Sequence, residues 1–343
     1  MLTKLEIQET AEVLVTDGKG ILAADESLGS IQKRFEPYRI LSNEENRRAY
    51  RDLFFTTTGI SKFISGVILF EETLRQSTIT DNTSFPELMK QEGILPGIKV
   101  DRGTKPLPGY PGEKLTEGFD GLRERLVEYR GLGARFTKWR AVYSISPNTP
   151  TPYALKVNAR QLALYARICQ EEGLTPIVEP EVLMDGPHHL SVCEEVTGAV
   201  LREVFYELAE ARVLLEGILL KPNMVLAGSE FPKPASVEDV AEATLRVLKR
   251  NVPAAVPGIV FLSGGQSPRQ ATEHLNAMNA MGGSLPWKLS YSYGRALQAP
   301  SLEFWQGRQE NSGRAQRLFY QRARLNSLAA QGRYSPDMEG EAV

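Results

Sequence analysis

The stretch Gly217-Ile-Leu-Leu-Lys-Pro222 reads as a short apolar run that ends on a lysine and a proline. A continuous run, rather than an alternating one, is expected of a parallel strand buried on both faces. Pro222 biases Lys221 toward an extended backbone, so the lysine belongs to the strand and not to a helix. Runs of the same character precede it at Gly20-Ile-Leu-Ala-Ala-Asp-Glu26, Ser65-Gly-Val-Ile-Leu-Phe-Glu71, Gly97-Ile-Lys-Val-Asp101, Ala134-Arg-Phe-Thr-Lys-Trp-Arg140 and Thr175-Pro-Ile-Val-Glu-Pro-Glu181. Two more follow it, at Gly258-Ile-Val-Phe-Leu-Ser-Gly264 and Trp287-Lys-Leu-Ser-Tyr-Ser-Tyr-Gly294.

The intervening segments carry helix signals. Ser42-Asn-Glu-Glu45 predicts a capping box ahead of a helix through about Phe55. Asn158 predicts an N-cap, with Leu162, Tyr165 and Cys169 on one face and Gly173 as the stop. Val192, Val196, Val200 and Val204 repeat every four residues. Ser236-Val-Glu-Asp239 caps a helix with Val237, Val240, Thr244 and Val247 at helical spacing, and Pro268 to Met281 and Ser301 to Leu328 supply the last two. Strand then helix, about eight times over and without a linker, predicts an α/β protein: a closed (β/α)8 TIM barrel. One domain is expected over residues 1–330, including an N-terminal helix, with a flexible tail over 331–343. A doubly wound open sheet is the alternative, but it has fewer units and a Gly-rich first turn. The third unit is irregular, because a Gly/Pro-rich stretch from Arg102 to Gly112 follows its strand.

Composition narrows the function. The 343 residues carry 40 Lys+Arg against 42 Asp+Glu, which argues against nucleic acid as a partner. No uninterrupted apolar run approaches the roughly 18 residues of a membrane span. The opening Met1-Leu-Thr-Lys-Leu-Glu-Ile-Gln-Glu-Thr10 lacks a signal layout, so a cytoplasmic protein is expected. Cys169 and Cys193 fall in helical segments and read as buried hydrophobes in a reducing compartment. The histidines are His188, His189 and His274. Neighbouring residues point apart, so the first two cannot easily share an ion, and a zinc site is disfavoured. No metal and no cofactor are expected.

In barrels of this kind the active site lies at the C-terminal strand ends. Those ends carry Asp25, Lys99, Asp101, Lys138, Arg140, Glu179, Glu181, Lys221 and Arg295. A charged side chain inside an apolar strand is costly unless it is paired or used. Six strands ending this way point to a functional set. Lys221 is the candidate amine nucleophile for the carbonyl of a phosphorylated ketose. Burial and a second cation, Lys138, would both favour its neutral form. The competing reading is a structural lysine paired with Glu179 or Glu181. Those two glutamates lie two apart and share a strand face, which makes one of them a candidate acid/base. Anion recognition is suggested twice. Ser263, Gly264 and Gly265 follow the seventh run, and Ser292, Gly294 and Arg295 close the eighth, where barrels often hold phosphate. Ser27, Ser30 and Arg34, with Lys99 opposite, offer a second site, which suggests a bisphosphate.

The motifs Gly20-Ile-Leu-Ala-Ala-Asp-Glu-Ser27, Lys138-Trp-Arg140, Pro176-Ile-Val-Glu-Pro-Glu181, Leu219-Leu-Lys-Pro-Asn-Met-Val225, Phe261-Leu-Ser-Gly-Gly-Gln-Ser267 and Ser292-Tyr-Gly-Arg-Ala-Leu297 occur in one order over residues 5–335. In this the chain resembles class I fructose-bisphosphate aldolase. The resemblance implies a metal-free homotetramer active in glycolysis and gluconeogenesis. It implies Lys221 as the iminium-forming residue and Glu179 as general acid/base. Asp25 would take the proton from the fourth-carbon hydroxyl, Lys138 would stabilise charge beside it, and Glu181 would orient Lys221 and Glu179. Ser263, Gly264, Gly265, Ser292, Gly294 and Arg295 would hold the phosphate of the dihydroxyacetone half. Ser27, Ser30, Arg34 and Lys99 would hold the other, with Arg140 also at the substrate. Another Schiff-base barrel aldolase, acting on a different phosphosugar, is the alternative. Animal members of the family end in a tyrosine that assists enamine protonation; here the last tyrosine is Tyr334 and the chain ends Glu341-Ala-Val343.

Overall fold

The computed structural model describes residues 4–281 and 283–340. In it the apolar runs become β1 (Gly20–Ala24), β2 (Ile64–Leu69), β3 (Leu95–Lys99), β4 (Phe136–Tyr143), β5 (Thr175–Val182), β6 (Leu219–Leu220), β7 (Gly258–Phe261) and β8 (Lys288–Tyr293). Each pairs in parallel with its sequence neighbour, and β8 closes onto β1 through Ile21 and Ser292. The result is a (β/α)8 barrel, which excludes the open sheet.

Strand periodicity sorts the residues into two cores. Leu22, Ala24, Trp139, Val178, Leu220 and Phe261 face outward into the main core under the helices. Their neighbours Ile21, Ala23, Phe136, Ile177, Leu219 and Val260 form a second apolar cluster inside the barrel. The N-terminal helix Lys4–Leu14 adds Ala11 and Leu14 to that cluster and so plugs the lower end. Glycine makes room for the floor: a Cβ on Gly97 would stand 2.3 Å from the Phe136 ring. The same two-residue step carries the inward face from floor to mouth. Above Ala23 comes Asp25, above Phe136 Lys138, above Ile177 Glu179, and above Leu219 Lys221.

Several local expectations change. β6 is only two residues long, so Lys221 stands just beyond it; its N–H still donates to the Val178 carbonyl at 2.8 Å, which keeps it in register. Asn158 caps nothing. Its helix, Pro152–Glu171, starts earlier, with Thr151 as N-cap, and Asn158 is buried within it, donating to the Lys114 carbonyl at 2.9 Å. Proline in the first turn after a threonine is the stronger start signal. Gly173 does follow the helix, at φ +74°. At the earlier helix the cap is Asn43 rather than Ser42. The expected last helix is two, Arg295–Trp305 and Ser312–Ala329, separated by a left-handed turn at Gln306 and Gly307. The irregular third unit holds an antiparallel pair, Thr104–Pro106 with Lys114–Thr116.

Within the segment assigned to a tail, Tyr334 is buried and Glu339 accepts from Arg322 Nη1 at 2.7 and 2.6 Å. Residues 1–3 and 341–343, including the Glu341-Ala-Val343 terminus, lie outside the described residues. Among the described residues no helix is long and apolar enough to cross a membrane.

Candidate active site

A cavity of about 550 Å³ opens at the C-terminal ends of the strands. Every residue expected from the sequence to act on or bind the substrate lines it, from Asp25, Ser27, Ser30 and Arg34 through Lys99, Lys138, Arg140, Glu179, Glu181 and Lys221 to Ser263, Gly264, Gly265, Ser292, Gly294 and Arg295. Asp101 does not line it; it stands behind as the partner of Lys99.

Glu179 is the hub of the charged layer. Its Oε1 lies 3.1 Å from Lys221 Nζ and its Oε2 lies 3.2 Å from Lys138 Nζ. Lys138 Nζ also meets Asp25 Oδ2 at 2.7 Å. All three strand-borne side chains, Lys138, Glu179 and Lys221, are buried. Burial opposes charge on Lys138, but Asp25, Glu179 and Asp101 outweigh it and hold the ammonium above its ordinary range. Burial likewise opposes charge on Asp25, and Lys138 and Lys221 reverse it, keeping the carboxyl well below its ordinary range. Lys138 therefore rests as a cation and Asp25 as an anion at neutral pH. Glu179 reaches both amines at once, which suits it to pass a proton at Lys221 while staying anchored to Lys138. Glu181 shares the inward face with Glu179, as its spacing predicts, and its ion-pair partner is Arg140 Nε. Burial opposes the Arg140 charge, but Glu181 holds the guanidinium above its ordinary range.

At one side of the cavity the chain offers backbone. Gly264 and Gly265 take φ +51° and +87°, conformations that only glycine adopts without strain. The helix Arg295–Trp305 begins at the cavity wall on Gly294, and no side chain among the described residues caps it. Its first N–H groups are thus available to an anion. The Ser292 hydroxyl is buried and finds no partner among the described residues. At the opposite side the helix Leu28–Phe35 starts after Ser27. The Ser27 and Ser30 hydroxyls bond each other at 3.0 Å. Arg34 is paired with Glu26, and Lys99 Nζ donates to the Asp101 carbonyl at 2.7 Å.

Sequence reasoning missed three groups. Glu26 is buried and binds Arg34 on one side and Arg51 on the other, so it sets the resting place of Arg34. Gln298 donates to the Ala23 carbonyl at 2.7 Å and accepts from Arg34 at 3.5 Å. Gln266 and His274 hold the Ser263–Gly265 loop from behind. The acidic pair Asp25-Glu26 just beyond β1 was the available signal for the first: both line the cavity, Asp25 meeting Lys138 and Glu26 meeting Arg34. The three histidines have separate surroundings. His188 is buried, His189 caps the helix Leu190–Glu210, and His274 lies in the helix Pro268–Met281.

Fold and site together define a barrel with a buried amine between a wall of free backbone donors and a wall of paired cations and hydroxyls. The family model described as fructose-bisphosphate aldolase class-I matches residues 6–343. A probable fructose-bisphosphate aldolase class 1 from Xanthomonas campestris is 53% identical over 330 residues, covering 96% of this chain and 98% of its own. The cytoplasmic isozyme of fructose-bisphosphate aldolase from Spinacia oleracea is 53% identical, over 96% of this chain and 92% of its own. Among solved structures, the Plasmodium falciparum fructose-bisphosphate aldolase, crystallised with TRAP and a small-molecule inhibitor, aligns with a TM-score of 0.94 and 52% identity, over 96% of this chain and 95% of that one. The chain belongs to the class-I fructose-bisphosphate aldolase family. It is a carbon–carbon lyase.

Proposed function

We propose that Lys221 is the amine through which this lyase cleaves D-fructose 1,6-bisphosphate, reversibly, into dihydroxyacetone phosphate and D-glyceraldehyde 3-phosphate. The observation that carries the assignment is the bridge made by Glu179. One of its oxygens meets Lys221 and the other meets Lys138, itself bound to Asp25.

The chemistry follows from that chain of contacts. Lys221 Nζ adds to the second-carbon carbonyl, and Glu179 protonates the departing hydroxyl, so that water leaves and an iminium forms. Asp25 takes the proton from the fourth-carbon hydroxyl. The electron pair of the bond between the third and fourth carbons moves into the iminium, leaving an enamine and free glyceraldehyde 3-phosphate. The third carbon then takes a proton from water while Asp25 gives up the one it took, and water hydrolyses the iminium, which releases dihydroxyacetone phosphate and restores the amine. Lys138 stays protonated throughout and balances charge beside Asp25 and Glu179. Glu181, tied to Arg140, orients Glu179 and Lys221 from the next rung of β5. Ser263, Gly264, Gly265, Ser292, Gly294 and Arg295 bind the first-carbon phosphate. Ser27, Ser30, Arg34 and Lys99 bind the sixth-carbon phosphate, and Arg140 contacts the substrate between them.

Borohydride reduction in the presence of dihydroxyacetone phosphate, followed by peptide mass spectrometry, tests the assignment. The expected adduct is on Lys221; an adduct on another residue, or none, refutes it. Full activity in excess chelator is expected of this metal-free mechanism. We further propose a homotetramer, which the resemblance implies and light scattering on the purified chain checks, and a cytoplasmic location, as the name of the Spinacia oleracea relative suggests.

A further inference from the structure

The loop Ser263-Gly264-Gly265 has little of its own to hold its shape. Two consecutive glycines at positive φ leave it free to sample other conformations. What restrains it is Gln266. Both its backbone N–H and its side-chain Nε2 donate to the Ser263 carbonyl, each at 3.0 Å. A carbonyl oxygen can only accept, so the Gln266 side chain must present nitrogen to Ser263 and oxygen to the other side. On that other side lies His274, with Nδ1 at 2.5 Å from Gln266 Oε1. An amide oxygen also only accepts, so the ring carries its proton on Nδ1. Burial, against Glu273 and Glu238, pushes the imidazole down to about 4, so the ring is neutral at physiological pH and Nδ1 carries its single proton. The Gln266 and His274 side chains are both buried.

We infer that His274 is a positioning residue for phosphate recognition: its Nδ1–H locks Gln266, and Gln266 fixes the Ser263–Gly265 loop in the shape that offers donors to the first-carbon phosphate. This rests on the assignment of that loop under Proposed function. It adds a residue that lines no part of the cavity and stands outside the resemblance by which the site was first read. The locked orientation matters because preorganised donors bind an anion without first having to be ordered.

The test compares His274→Phe, which keeps a ring but loses the donor, with His274→Asn, whose amide nitrogen hangs from the same γ-carbon as Nδ1. His274→Phe is expected to raise the KM for fructose 1,6-bisphosphate and the half-saturating dihydroxyacetone phosphate in borohydride trapping by about tenfold, roughly the worth of one buried hydrogen bond. The kcat should stay within about twofold. His274→Asn should restore both constants to within about twofold of the parent. Should His274→Phe not fold, His274→Leu, which is smaller and likewise has no donor, takes its place. Unchanged KM in the donor-less variant, equal damage in the Asn variant, or a fall in kcat at constant KM would each overturn the inference. Trapping at saturating ligand separates the two levels: loss of the Lys221 adduct in the parent protein refutes the proposed function, whereas a normal parent adduct with no shift in the variant refutes only the role of His274.

Discussion

The two walls of the cavity, each proposed to hold a phosphate, are made of different materials. The wall after β7 and β8 is backbone: two left-handed glycines, an uncapped helix start and a buried serine hydroxyl without a partner. The wall after β1 and β3 is side chain, and each group there is already engaged. Arg34 is held by Glu26, Lys99 by Asp101, and Ser27 by Ser30. An anion reaching the first wall finds donors waiting. One reaching the second must exchange with a carboxylate already in place, so only the difference between two charged contacts is gained. Under the proposed assignment the first-carbon phosphate is therefore expected to supply most of the binding, and the sixth-carbon phosphate the discrimination.

The largest expected effect lies between the walls, where both converge. Lys221→Met should lower turnover more than about 10⁴-fold, with both phosphates still bound. Retention of substrate binding is checked by isothermal titration with the bisphosphate; loss of binding would mean that Lys221 shapes the cavity rather than reacting in it. Next come the arginines. Arg295→Ala should raise the KM for fructose 1,6-bisphosphate and fructose 1-phosphate alike, by about 100-fold, the worth of a charged hydrogen-bonded contact. Arg34→Ala should raise it for the bisphosphate only, by about tenfold or less. Equal effects of both substitutions on the monophosphate would erase the distinction between the walls. Smaller still in binding is Glu26→Gln. Freeing Arg34 should lower the bisphosphate KM by a few-fold. Because Arg51 is left buried without its carboxylate, stability should fall by about 3 kcal/mol in urea titrations.

The asymmetry between the walls also explains what the sequence discloses. A wall made of Gly264, Gly265 and Gly294 is legible because glycine and a following helix start are local signals. The inward charges are legible because a two-residue step from Ile177 or Leu219 leads to Glu179 or Lys221, and barrel closure brings strand ends together. The partners of the second wall are not. Arg51 looks like any arginine on an amphipathic helix until the fold brings it to Glu26, 25 positions earlier in the chain. Gln266 and His274 meet only because the helix Pro268–Met281 folds back over the loop that starts it. Asn158 failed as a cap for a related reason: its side chain answers to the Lys114 carbonyl, a contact between segments far apart in sequence. Local grammar reports backbone needs, and it is silent on which distant side chain compensates a buried charge.

The smallest effect comes from pH, and it too separates amides from ion pairs. A cradle of N–H groups has nothing to titrate in the acid range, whereas Asp25 does. Its ordinary value is 3.8, and in the folded chain Lys138 and Lys221 hold it lower. A depressed carboxyl contributes stability that is fully present above the unfolded value and is lost as pH falls toward the folded one. Lys138 mirrors this: held above its ordinary 10.5, it contributes fully below that value and loses its contribution as pH rises beyond it. The pair should thus be indifferent to pH across the neutral range. Between pH 5 and 3 the parent protein should lose on the order of 1 kcal/mol more stability than Asp25→Asn, which has no carboxyl there to protonate. Chemical denaturation at a series of pH values measures that difference. If the two proteins lose stability in parallel, Asp25 is not held by its cations in the folded chain, and the charged layer between the walls is looser than its distances imply.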